Sequence, residues 1–319
     1  MIGRRAALIL GAALCPAPLA AQDSGSPGRV YIGFAAGGGT DVMARLILER
    51  MRAQSGLHYI VVNRAGASGR LAVDALRQGP ANGTTLMVAP FAIPVLNPVL
   101  FPGTNQESGR DYLPVSLLAA TEFAFAVPAS HPARTLAELV AWLRANPQEA
   151  NFGTATLGNM PHFLGLGFGE AIGVPMTAVG YRGAAPMIPD LINGTLKLAI
   201  SPDNDFAAVV REGRIRVLAT AGDGPSRLVP EAPTLASAGF ALTATGYNGL
   251  FAPIDTPPDV IARIATAAAR AIAHPDTRDQ LEAMGLIPSG AGPDAFAQII
   301  ARDVARWQPA IRASGFRVQ

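Results

Sequence analysis

The chain has 319 residues, with 25 Lys and Arg against 23 Asp and Glu, a single cysteine (Cys15) and a single lysine (Lys197). That near-neutral balance offers no basic face for nucleic acid. One cysteine excludes an internal disulfide or an iron–sulfur site, and Schiff-base chemistry would rest on Lys197 alone. His58, His131, His162 and His274 lack metal-ligand spacing, so neither a metal nor any other cofactor is expected.

Residues 1–21 read as a secretory signal peptide, with Arg4 and Arg5 followed by an apolar run over 6–14 and small residues, and cleavage expected near Ala20 or Ala21. The run is too short to span a bilayer. Cys15 follows Leu14, where a lipoprotein signal wants a small residue. Loss of this segment removes the cysteine and two arginines, leaving 23 basic against 23 acidic residues. The remaining 298 or so residues are enough for two α/β domains.

A short buried strand is expected over 30–34, ending in Phe34-Ala35-Ala36-Gly37-Gly38-Gly39-Thr40-Asp41. Apolar residues at helical spacing follow, including Met43, Leu46 and Ile47. A strand passing through three glycines into a helix leaves bare amides at the helix N-terminus, which suits a carboxylate or phosphate. Thr40 or Asp41 can instead cap the helix. No P-loop lysine follows the glycines, and Val42 stands where the dinucleotide pattern needs its third glycine, so a small carboxylate is the expected anion.

The rhythm continues with a strand over 58–63, a glycine-rich turn at 64–70, a helix over 71–78 and a strand over 84–89, then the apolar loop Pro90-Phe91-Ala92-Ile93-Pro94. Alternation of this kind implies a parallel sheet whose C-terminal strand ends share one edge. The apolar strand expected over 117–127 is a candidate crossing into a second α/β series. That series has a helix over 136–145, a strand over 151–153, the polar turn 154–162 and a helix over 163–171. Strands over 176–179 and 196–200 end at Tyr181-Arg182-Gly183 and Ser201-Pro202-Asp203, with a helix over 184–193 between them. The strand over 215–220 can return the chain to the first domain. A strand over 249–252 and helices over 257–273, 276–284 and 293–312 complete it.

These motifs resemble the solute-binding proteins of tripartite tricarboxylate transporters, the Bug family. The resemblance rests on Gly37-Gly38-Gly39-Thr40-Asp41-Val42-Met43-Ala44-Arg45, Asn63-Arg64-Ala65-Gly66-Ala67-Ser68-Gly69, Asn97-Pro98-Val99-Leu100, Tyr181-Arg182-Gly183 and 249–258, in order along nearly the whole mature chain. It implies a two-domain periplasmic-binding-protein (type II) architecture with a hinge and an interdomain cleft. Domain 1 would comprise 22–118 and 222–319, and domain 2 would comprise 119–221.

By the same resemblance, a monomeric periplasmic protein would bind a small carboxylate and deliver it to a permease of two membrane subunits, or else act as a sensor docking a membrane kinase. The expected ligand contacts are Phe34, Ala35, Ala36, Gly37, Gly38, Gly39 and Thr40 in the first domain, with Pro90 and Phe91. In the second they are Thr154, Ala155, Thr156, Gly158, Asn159, His162, Tyr181, Arg182 and Gly183, with Ser201 and Asp203. The family's acid after the strand over 196–200 corresponds to Ser201, with Asp203 or Asn204 as a stand-in. Ala35-Ala36 replace prolines, and Phe91 and Met160 add apolar lining. An enzymatic alternative is a hydrolase built on Ser201 or Ser68 with His162 and Asp203, although no Gly-x-Ser-x-Gly elbow surrounds either serine.

Overall fold

A computed structural model describes residues 27–104 and 107–317. The expected signal peptide lies outside them. The first series is β1 (Gly28–Ile32), α1 (Gly39–Ser55), β2 (Tyr59–Asn63), α2 (Arg70–Arg77) and β3 (Thr85–Pro90). The apolar loop expected after β3 is instead two one-turn helices, α3 (Ala92–Val95) and α4 (Asn97–Leu100). The long strand β4 (Tyr112–Pro128) starts five residues before the expected one, because Pro114 sits at a register irregularity where no ladder amide is needed.

The second series is α5 (Leu136–Ala145), β5 (Asn151–Thr154), α6 (Met160–Ile172), β6 (Thr177–Gly180), α7 (Ala184–Ile192), β7 (Ala199–Pro202), α8 (Asp203–Arg211) and β8 (Ile215–Thr220). The tail adds β9 (Thr245–Pro253), α9 (Pro258–Ala273), α10 (Pro275–Ala283), β10 (Ile287–Ala291) and α11 (Pro293–Ala313). Local chemistry marks the boundaries. Thr135 caps α5 by accepting from the Glu138 amide, Gly56 ends α1 at φ 70°, and Pro258 opens α9.

The strands run β2-β1-β3-β9-β4-β7-β5-β6, with β10 and β8 also paired to β4. β1 lies parallel to β2 and β3, and β5 lies parallel to β6 and β7. Each parallel set therefore sends its C-terminal strand ends to a common edge. The two sets are joined through β4. Residues 112–122 of β4 pair with β9, while 123–128 pair with β7 and β8.

Successive side chains point to opposite faces of the sheet, and both faces are covered. Val30 and Ile32 of β1 face α1 and α9, packing with Met43, Ile47 and Ala268. Further along, Phe123, Phe125 and Val127 of β4 join a core with Phe152 and Phe168, while Ala124 and Ala126 face Met187, Leu191 and Phe206. Small residues on that second face let α7 and α8 lie close to the strand.

Candidate ligand-binding site

Three loops meet at the C-terminal edge of β1, β2 and β3. A Cβ on Gly33 would stand 2.5 Å from Gly69 Cα and 2.9 Å from its carbonyl oxygen, so the first two loops touch backbone to backbone. A Cβ on Gly69 would in turn stand 2.7 Å from Ile93 of α3 and 3.7 Å from the Phe34 ring. Ala67 and Ser68 hold φ values of 48° and 55°, a left-handed run costly for residues with side chains. Asn97 supports it by donating from Nδ2 to the Ser68 carbonyl at 3.1 Å.

Asp41 is the anchor of the first loop. Its Oδ2 accepts from the Gly37 amide at 3.0 Å and from Arg45 Nε at 2.9 Å, and its Oδ1 accepts from Asn63 Nδ2 at 2.9 Å. Asn63 also donates to the Phe34 carbonyl at 3.1 Å, tying the loop to the end of β2. The amide of Gly37 is thus committed internally, and that of Gly38 reaches the Ala35 carbonyl at 3.4 Å. The amides of Ala36, Gly39 and Thr40 find no acceptor among the described residues. Gly39 and Thr40 open α1, where the helix dipole adds to their pull on an anion.

The Arg45 hydrogen bond, opposed by burial and reinforced by Gly37 and Asn63, holds the Asp41 carboxyl down at about 2. A depressed folded pKa contributes stability that is present above the ordinary carboxylate value and is lost as pH falls through about 2. Asp41 is buried but Arg45 is half exposed. We therefore expect the wild type to lose about 1–2 kcal/mol between about pH 4 and about pH 2 that Asp41→Asn does not lose. Unfolding midpoints across that range check this, and parallel curves would contradict it.

Asn248 on β9, which no motif of the sequence marks, joins the first loop. The Thr40 hydroxyl donates to its Oδ1 at 3.0 Å, across 208 residues of sequence. Its one signal was its position directly before the 249–258 motif. Pro90 pairs with Asn248 in the β3–β9 ladder, and the Phe91 amide donates to the Tyr247 carbonyl at 2.8 Å. The Phe91 ring is buried edge-on to Tyr247, which in turn packs on Phe296.

The turn between β5 and α6 is held from within and by the loop that follows β6. Thr154 is buried, and its carbonyl accepts from the Tyr181 amide at 2.9 Å, as that of Ala155 does from Gly183 at 2.9 Å. Asn159 caps the Met160 amide at 2.9 Å. His162 Nδ1 accepts from the Gly158 amide at 3.1 Å. Burial pushes His162 below its ordinary value, consistent with a neutral ring that accepts there. Phe316, from the chain's far end, packs edge-on to His162 and covers Gly158, a contact that local sequence did not signal. The amides of Ala155, Thr156 and Leu157 remain without acceptors among the described residues. The Thr156 hydroxyl turns back to the Ala155 carbonyl at 2.6 Å.

Tyr181 donates its hydroxyl to Asp190 at 2.8 Å, whereas Arg182 beside it is exposed and forms no ion pair among the described residues. Ser201 donates to Asp205 at 2.5 Å, and Asp203 Oδ2 accepts from Ser226 at 2.8 Å. No hydrogen bond joins Ser201 or Ser68 to His162, nor His162 to Asp203, among the described residues. The hydrolase alternative therefore has no bonded triad.

Comparison with known proteins agrees with this architecture. The family model for the tripartite tricarboxylate transporter family receptor, TctC, matches residues 43–316. The UPF0065 protein of the tcbD-tcbE intergenic region of Pseudomonas sp. is 30% identical over 282 residues, covering 87% of this chain and 83% of that protein. BugT of Bordetella pertussis is 28% identical, covering 92% and 90%. Among solved structures, MatC of Rhodopseudomonas palustris with bound malate aligns with a TM-score of 0.72 at 26% identity, covering 89% of this chain and 98% of that one. Rpa4515 of R. palustris with adipate gives 0.75 at 28%, covering 91% and 97%. A TctC solute-binding protein from Polaromonas, at 24% identity and a TM-score of 0.81 with coverage of 90% and 98%, supports the fold. No helix among the described residues is long and apolar enough to cross a membrane. This α/β chain therefore has the fold of periplasmic binding proteins and belongs to the tripartite tricarboxylate transporter receptor family, a family of solute-binding receptors.

Proposed function

We propose that the protein is exported to the periplasm, captures a small organic carboxylate between two α/β domains and hands it to the membrane subunits of a tripartite tricarboxylate transporter. The domains are 22–118 with 222–319, and 119–221, hinged where β4 changes partners. The observation that carries this reading is the pair of turns at β1–α1 and β5–α6, each at the C-terminal edge of a parallel strand set and each with unengaged amides. Such amides offer charge-assisted hydrogen bonds to a carboxylate without requiring a lysine. Malate and adipate in relatives point to the same ligand class. The exposed Phe34 ring on the first turn suits a ligand with some carbon body.

A thermal-shift panel tests the class. A carboxylate at a hundred times its dissociation constant should add about 2.7 kcal/mol of stability, while glucose and spermidine add nothing. A response to sugar or polyamine with none to any carboxylate would end the reading.

Arg182 supplies the charged contact. Its guanidinium is exposed, without an ion pair among the described residues, and carried on the loop whose amides brace the second turn. Arg182→Ala should weaken carboxylate binding roughly 10- to 150-fold, the worth of one charge-assisted bond, with the empty protein's unfolding midpoint nearly unchanged. Arg182→Lys should recover part of that loss. Calorimetry with one carboxylate across the three proteins decides it, and equal affinities would return Arg182 to the solvated surface.

A further inference from the structure

Two carboxyl groups are buried together where β4 changes partners. Phe123 and Pro202 form the last pair of the antiparallel β4–β7 ladder, and Glu122 and Asp203 are the residues that adjoin that pair, Asp203 as the first residue of α8. On the other edge of β4 the Glu122 carboxyl lies against Gly222, where a Cβ would stand 2.7 Å from Oε1. Glu122 and Asp203 are each 7% exposed.

Their hydrogen bonding is incomplete. Asp203 Oδ2 accepts from Ser226, but Asp203 Oδ1 and Glu122 Oε2 are both buried with no partner among the described residues. Thr220 pairs with Ala124, shares that face, and has an equally buried, unpartnered hydroxyl.

The charged surroundings do not neutralise the pair. From α8, Asp205 is bonded to Ser201. From the loop after β8, Asp223 is exposed and lies 3.6 Å from Arg302 of α11, which also holds Asp303 at 3.1 Å. No arginine, lysine or histidine among the described residues forms an ion pair with Glu122 or Asp203. Two adjacent carboxylates without a cation cannot both ionise cheaply in such a place. One proton between them would satisfy both unpartnered oxygens with a single strong O–H···O⁻ bond.

We propose that Glu122 and Asp203 share one proton, with Glu122 Oε2–H donating to Asp203 Oδ1, and that this proton-linked joint at the β4 crossing loosens when the proton leaves for solvent. Asp203 keeps the negative charge because it opens α8 and accepts from Ser226. Burial first, then the charges of Asp203 and Asp223, pushes Glu122 up to about 7, and burial raises Asp203 and Asp205 as well. A carboxyl raised on folding contributes stability that is full below its ordinary pKa and is lost as pH rises through the folded value, here about 7.

The test is the unfolding midpoint of the ligand-free protein from about pH 5 to about pH 9, independent of the carboxylate reading. The wild-type midpoint should fall between about pH 5 and about pH 7 and level off above that. Glu122→Gln, whose amide donates permanently to Asp203, should flatten the fall and exceed the wild type above about pH 8. Asp203→Asn should also shrink the slope, and decides the matter if Glu122→Gln does not fold. A slope unchanged in the variants would overturn the proposal. So would a sodium-specific rescue of the wild type at high pH, measured against choline, that Glu122→Gln lacks; the occupant would then be a metal cation.

Discussion

Gly38→Val should fold and lose carboxylate affinity by roughly two to four orders of magnitude, the worth of two charge-assisted amide bonds. Gly38 is the N-cap of α1 at φ −72°, ψ 161°, an extended conformation open to any residue. A Cβ there meets only the Ala35 carbonyl, at 3.4 Å. Losing glycine at the cap should cost at most about 1 kcal/mol. If a carboxylate is held by the Gly39 and Thr40 amides, the isopropyl group next to them in the chain should hinder its approach. Gly37 would be a poor choice, because its φ of 82° would confound strain with blocked access. Calorimetry with malate or adipate, beside a thermal melt, separates the two effects. Wild-type affinity in a folded Gly38→Val would remove the β1–α1 turn from the site.

Gly33→Ala should be among the most damaging single-methyl changes around β1, β2 and β3. The added carbon would meet Gly69 Cα at 2.5 Å and its carbonyl at 2.9 Å, and both are backbone atoms that no rotamer change can move. The turn it strikes already holds Ala67 and Ser68 at positive φ and is pinned by Asn97. We expect about 3 kcal/mol of destabilisation, the upper end of ordinary overpacking, or roughly 6 °C in the unfolding midpoint. Gly39→Ala is the control, since a Cβ there meets nothing within 4 Å and should change stability by no more than about 0.5 kcal/mol. Equal midpoints for the two variants would show that the loops do not touch as described.

Much of this fold is legible along the chain because its signals are local. β1, β2 and β3 are short apolar runs, and α1 and α9 carry apolar residues at helical spacing that meet on one face of the sheet. Elements that depend on distant partners were harder to read. Ile287–Ala291 contains a proline and a glycine and has little strand character, yet becomes β10 by lying against β4 with an irregular register. No helix is expected from the sequence over 203–211, where Asp203, Asn204 and Asp205 follow the strand over 196–200, but acids in a first turn favour the helix that forms.

At the site, the glycine-rich turns were visible and the division of labour among their amides was not. Whether Gly37 serves a ligand or Asp41 depends on how the loop folds back on α1. The Thr40–Asn248 and Gly158–Phe316 contacts join segments far apart in sequence, so no local pattern announces them.

Backbone amide shifts during titration with malate or adipate test the central claim most directly. If a carboxylate is held between the two turns, the resonances of Gly39 and Thr40 should move together with those of Ala155, Thr156 and Leu157, on one binding curve. The Gly37 and Gly158 amides, engaged by Asp41 and His162, should move less. Saturable binding that shifts amides at only one turn, or at neither, would contradict the account.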